Sequence, residues 1–191
     1  MARANTTKRA ILDAALELAA TKGITGTTMD EVAELAGVAK GSLYYNFSSK
    51  DQLFEAMLQE GVGSLADSLR AAKGELRGWP AIEALVRQLL DRIAANAPLA
   101  KLMASEIFRT DRAWQETLFA LRHKALAVFE EAIDETDVPA GRAGIMASSV
   151  FGAVLLAGLE WLVFEPERSR DEVAAGILAT LNTSAPAKAL E

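Results

Sequence analysis

Apolar residues recur along this chain at intervals of three and four, and no strict alternation of strand length appears, so the pattern predicts helices throughout and no strands. Ile11, Ala14, Ala15, Leu18 and Ala19 form one stripe, which predicts a first helix over about 7–22, capped by Thr6 or Thr7 and ended by Gly23. Met29, Val32, Ala33 and Ala36 form the inner face of a second helix. Thr28 opens it with Glu31 three residues on, the spacing of a capping box. Gly37 ends it where a left-handed backbone angle is wanted. A third helix over about 40–47 turns Leu43 and Phe47 inward and leaves Lys40, Gly41, Ser42, Tyr44, Tyr45 and Asn46 for its other sides. Ser49 with Gln52 is a second capping box, opening one unbroken helix to about residue 72 with Leu53, Phe54, Met57, Leu58 and Leu65 on its stripe.

Further helices are predicted over about 80–96, 98–109, 112–135, 140–165 and 169–182. Gly78-Trp79-Pro80, Asn96-Ala97-Pro98 and Glu165-Pro166 separate three of them, and Ser169 with Glu172 starts the last. The fold class is therefore all-α, with about nine helices. Residues 142–164 are the most apolar run and are long enough to cross a bilayer. Glu160 interrupts that run, and Ala147, Ser148, Gly152 and Ala153 permit close backbone approach. A core helix that also pairs subunits is expected there, and no membrane span.

Composition narrows the chemistry. The chain has no cysteine and one histidine, which excludes disulfide scaffolds, thiolate metal sites and most nucleophile–base pairs. No phosphate-binding glycine loop occurs, and no acidic residue stands three before His123 as a helical di-metal site would require. An enzyme is not expected, nor a metal or cofactor. The N-terminus lacks the apolar run of a signal peptide, so a cytoplasmic location is expected. The net charge is −6, but residues 1–50 hold six Lys/Arg against five Asp/Glu, leaving the remainder at −7. Any attraction for nucleic acid is local to the first fifty residues.

The stretch TTMDEVAELAGVAKGSLYYNFSSK, residues 27–50, concentrates the candidate chemistry. Two short helices joined by a glycine turn, the second carrying small and polar residues outward, have the shape of a helix-turn-helix DNA reader. Gly41 and Ser42 are short enough for the backbone to approach a groove, and Lys40 can reach a guanine edge or a phosphate. Tyr44 and Tyr45 can donate hydroxyls to phosphate, Lys50 can take another phosphate, and Thr28 sits at a helix N-terminus that favours an anion.

The segment AGVAKGSLYYNFSSKDQLF closely resembles the DNA-binding segment of TetR-family transcriptional regulators, whose usual form is near GVSKGTLYYHFPSKEEL. The similarity extends over about the first 58 residues. It implies a three-helix DNA-binding domain over 1–50 and a helical ligand-binding and dimerisation domain over 51–191. It further implies DNA contacts by Thr28, Lys40, Gly41, Ser42, Tyr44, Tyr45, Asn46 and Lys50. Two positions depart from the family form. Ala39 stands where serine is common and cannot cap the reading helix, and Asn46 replaces a common histidine. The partners implied are a palindromic double-stranded operator, a second copy joined through the helices at about 140–165 and 169–182, and a small-molecule effector. Candidate effector contacts are Leu89, Met103, Ile107, Trp114, Leu118, Leu121, His123, Phe151, Leu155 and Trp161, with Glu106, Arg109 and Arg122 as polar anchors. The function expected is a ligand-released repressor. The alternatives are an activating or ligand-independent regulator of the same fold and a helical interaction protein without DNA binding.

Overall fold

The computed structural model describes residues 2–106, 108–109, 111–139 and 141–181. They form α1 (Ala2–Gly26), α2 (Met29–Leu35), α3 (Lys40–Asn46), α4 (Lys50–Val62), α5 (Leu65–Lys73), α6 (Gly78–Ala95), α7 (Ala97–Glu106), α8 (Gln115–Asp134), α9 (Ala143–Phe164) and α10 (Arg170–Leu181). No strand occurs among the described residues. The helices match those expected, except that the unbroken helix to residue 72 is two segments, α4 and α5, parted at Gly63 and Ser64. Gly61 and Gly63 fall in one turn there, and glycine is the weakest helix former after proline. α1 is broken at Gly23, whose φ of 76° and ψ of 161° lie outside the helical region.

The chain packs as two units. The first comprises residues 1–68 with 96–125. Its core gathers Ile11, Ala15, Ile24, Val32, Leu43, Phe47, Leu53, Phe54 and Leu58 with Leu99, Leu102, Met103, Trp114 and Leu118. α1 lies at the centre of this unit, against α2, α4 and α7. Trp114 and Phe54 meet as tilted rings 6.0 Å apart.

The second unit comprises residues 69–95 with 126–191. α6 and α9 pack closely: a Cβ added at Gly158 would lie 3.0 Å from Ile93 Cδ1 and 3.2 Å from Leu90 Cδ2, so glycine sets the spacing. Phe151 of α9 meets Phe129 of α8 edge-on at 6.1 Å. Arg170 joins α10 to Asp91 of α6 at 2.8 Å, and Arg87 pairs with Asp171. The mostly buried Lys73 reaches Glu131 at 3.0 Å.

By length and composition α9 could cross a membrane, yet it presents two distinct stripes. Ala143, Ala147, Val150, Val154 and Gly158 are buried. Ile145, Ser149, Gly152, Leu156, Glu160 and Val163 are exposed along the opposite side. The neighbouring α10 exposes the small residues Ala175, Gly176 and Ala179.

Candidate nucleic-acid interface

The turn between α2 and α3 is fixed by backbone hydrogen bonds. Val38 N–H donates to the Ala33 carbonyl at 3.0 Å and Gly37 N–H to the Glu34 carbonyl at 3.1 Å, the paired bonds of a Schellman stop. That motif needs a left-handed residue, and Gly37 supplies it with φ of 66°. Val38 then packs on the core and α3 starts at once.

Leu43 and Phe47, both buried, pin α3 by one face. Lys40 and Gly41 are exposed on the other, with Tyr44 at 50% and Tyr45 at 90% exposure. Ser42 and Asn46 are half-buried. Asn46 Nδ2 donates to the Ser42 carbonyl at 2.8 Å, so its amide is partly turned back on its own helix and its oxygen is left to accept. Ala39 makes no side-chain cap, as the sequence requires. The first amides of α3 are therefore left without a side-chain partner of the usual kind.

Charged groups around this helix are already engaged. Lys40 Nζ donates to Asp30 Oδ2 at 2.6 Å, and that bond holds its pKa above the ordinary lysine value. Thr28 and Glu31 form the expected capping box. Glu31 N–H donates to Thr28 Oγ1 at 3.3 Å, while Thr28 N–H and Oγ1 donate to Glu31 Oε2 at 2.9 and 2.7 Å. Lys22 pairs with the same carboxylate, and the Lys22 and Thr28 bonds together lower the Glu31 pKa to about 2. Lys50 opens α4 behind the Ser49 cap, where Ser49 accepts from Gln52 N–H at 3.2 Å. The Gln52 side chain reaches back one residue further than expected, to Ser48 N–H at 2.7 Å. Lys50 Nζ donates to the Thr25 carbonyl at 3.1 Å, and partial burial followed by repulsion from Arg112 lowers its pKa.

The structure thus places Lys40, Gly41, Ser42, Tyr44, Tyr45 and Asn46 on α3, Lys50 at the start of α4 and Thr28 at the cap of α2, all within one unit. Sequence reasoning missed Lys22, Thr25, Asp30 and Arg112. Asp30 could have been found as a carboxylate in the first turn of α2, ahead of the lysine that opens α3. No sequence signal links Arg112 to the reader.

The proposed effector contacts fall differently. Met103, Trp114 and Leu118 are core of the first unit, and Leu89 is core of the second. Leu121 is half-buried and His123 exposed. Phe151 and Leu155 are half-buried on α9, and Trp161 Nε1 donates to the Arg168 carbonyl at 2.8 Å, anchoring the α9–α10 turn. Ile107 lies outside the described residues.

A capped positioning helix, a Schellman turn and a short helix pinned by two apolar residues with its polar side outward define a helix-turn-helix transcriptional regulator. The model of bacterial regulatory proteins of the tetR family matches residues 11–57. TtgW of Pseudomonas putida, an uncharacterised helix-turn-helix transcriptional regulator, is 34% identical over 100 residues, which span 52% of this chain and 71% of TtgW. This chain spans less than half the length of other curated relatives it matches. A Clostridium perfringens protein described as a candidate fatty acid metabolism regulator superposes with a TM-score of 0.79 at 26% identity, over 90% of this chain and 96% of its own. AibR, solved with isovaleryl coenzyme A and operator DNA, superposes with a TM-score of 0.77 at 20% identity, over 91% and 97%. The chain belongs to the TetR family of transcriptional regulators.

Proposed function

We propose that this chain is a homodimeric repressor whose paired α3 helices bind a near-palindromic operator and whose hold is released by a small molecule. The observation that carries the reading is the open side of α3, with Lys40, Gly41, Tyr44 and Tyr45 exposed on a helix pinned by Leu43 and Phe47. Lys40, Gly41, Ser42 and Asn46 meet base edges and nearby backbone. Tyr44, Tyr45, Lys50 and the Thr28 end of α2 meet phosphates, which set register rather than sequence. Acting on chromosomal DNA, the protein works in the cytoplasm.

The second copy docks on the exposed side of α9 together with α10. Ile145, Gly152, Leu156 and Val163 make an apolar stripe at helical spacing, and the small residues of α10 beside it let backbones approach. Two readers one helical turn apart, about 34 Å, bind a palindrome far better than one. The effector binds in the helices beyond α4, and it must favour the released state over the DNA-bound state or it moves nothing. AibR with its isovaleryl coenzyme A supports testing acyl-coenzyme A thioesters first.

The test begins by selecting bound sequences from a random DNA pool. Recovery of an inverted repeat is expected, and recovery of no sequence would overturn the reading. Titrating that operator with acyl-coenzyme A thioesters then tests release. For the dimer, Gly152→Trp suits, because Gly152 is exposed and a Cβ there meets nothing within 4 Å of its own protomer. Sedimentation should show a folded monomer, and an intact dimer would place the interface elsewhere.

A further inference from the structure

Arg112 precedes α8 by three residues and is far in sequence from the reader, yet it reaches it. Its Nη2 donates to Thr25 Oγ1 at 2.6 Å. The carbonyl of that same Thr25 accepts from Lys50 Nζ at 3.1 Å. On its other side Arg112 Nε lies 3.5 Å from Glu106 Oε2, in the last turn of α7, where Glu106 is only 4% exposed. Arg109 lies 3.7 Å from the other Glu106 oxygen, and Asp111 lies 3.8 Å from Arg112 Nε. The guanidinium covers the Trp114 ring at 5.6 Å. Arg112 is itself mostly buried, with 17% of its side chain exposed, so it is placed to hold protein groups rather than phosphates.

We propose that Arg112 is a positioning residue for DNA binding: it fastens the end of α1, whose Thr25 holds Lys50, to the end of α7 at Glu106. The fork of a guanidinium suits this task, since one planar group addresses two partners on different edges. Glu106 Oε2 and Arg112 Nε are both buried without a hydrogen-bond partner, so each depends on the opposite charge of the other 3.5 Å away, while Nη2 is bonded to Thr25. A shift of the α7 end is therefore passed through Thr25 to Lys50. A buried charge left alone is strongly disfavoured, which keeps Arg112 following Glu106.

This inference rests on the DNA-binding reading above, and the test separates the two. The operator selected from the random pool is titrated with wild type, Arg112→Gln, Thr25→Val, Lys50→Ala and the double variants, with melting followed in parallel. Arg112→Gln and Thr25→Val should each weaken binding about tenfold, the scale of one lost hydrogen bond to a charged group. In the Lys50→Ala background both effects should vanish, because they act through Lys50. Thr25→Val leaves the Arg112–Glu106 pair intact and serves if Arg112→Gln fails to fold. Lowered stability with unchanged affinity would mean a structural role only and overturn the proposal. Effects that persist without Lys50 would overturn it too. Wild type binding no selected DNA would bring down the DNA-binding reading, and this one with it.

Discussion

Tyr45→Phe removes one hydroxyl from a ring that is 90% exposed. Little packing in the free protein depends on it, so its melting should stay within about 0.5 kcal/mol of wild type. The proposed role is a hydrogen bond to a phosphate oxygen. A hydrogen bond to a charged partner contributes roughly 1.5–3 kcal/mol, which is about a ten- to hundredfold rise in Kd for each protomer. A neutral donor displaces no counterion, so the slope of log K against log salt should not change. Fluorescence anisotropy with the selected operator, at several salt concentrations, reads both quantities. Tyr44→Phe serves as a partner measurement, since that ring is half covered where Tyr45 is open. A Tyr45→Phe Kd within twofold of wild type would refute the phosphate contact. A changed slope would mean that the substitution disturbed the lysines instead.

Asp30→Asn releases Lys40 from its partner, and should raise affinity for arbitrary duplex several-fold and steepen the salt slope by up to about 0.9. Unchanged binding to non-operator DNA would remove Asp30 from the account. The Glu31 pKa is depressed from an ordinary 4.5 to about 2, so its stabilising bonds are fully present above pH 4.5 and disappear as pH falls through 2. Melting of wild type should therefore drop across that window more than melting of Glu31→Gln, and parallel profiles would contradict the assignment. Gly158→Leu drives a side chain into a space where even a Cβ meets Ile93 at 3.0 Å. It should cost about 1–3 kcal/mol, read as a lower urea midpoint, and an unmoved midpoint would show that α6 and α9 are not held so close.

What was legible in the sequence was local. The Thr28–Glu31 box, the Gly37 stop and the Leu43–Phe47 pair each lie within one or two helical turns, so spacing alone reports them. The break at Gly63 was missed because the apolar stripe continues through it into Leu65 while the backbone does not. The charged side chains' bonds around the reader were illegible for another reason. Asp30 to Lys40, Lys50 to Thr25 and Arg112 to Thr25 join different helices and turns, and no periodicity connects such positions. Met103, Trp114 and Leu118 show the same limit from the apolar side. A stripe says that a residue faces inward, not whether it meets other side chains or a ligand.

The start of α2, proposed above to meet a phosphate, holds a carboxylate of its own. Glu31 takes up the Thr28 amide and hydroxyl, Lys22 neutralises it, and Asp30 occupies Lys40 beside it. The reader thus carries built-in substitutes for the anions it is meant to grip. Under the proposed contacts, binding would exchange internal anions for external ones, and the phosphates would have to outcompete the resident carboxylates. In a protein of net charge −6, the proposed phosphate contacts would then depend on fit as well as on charge.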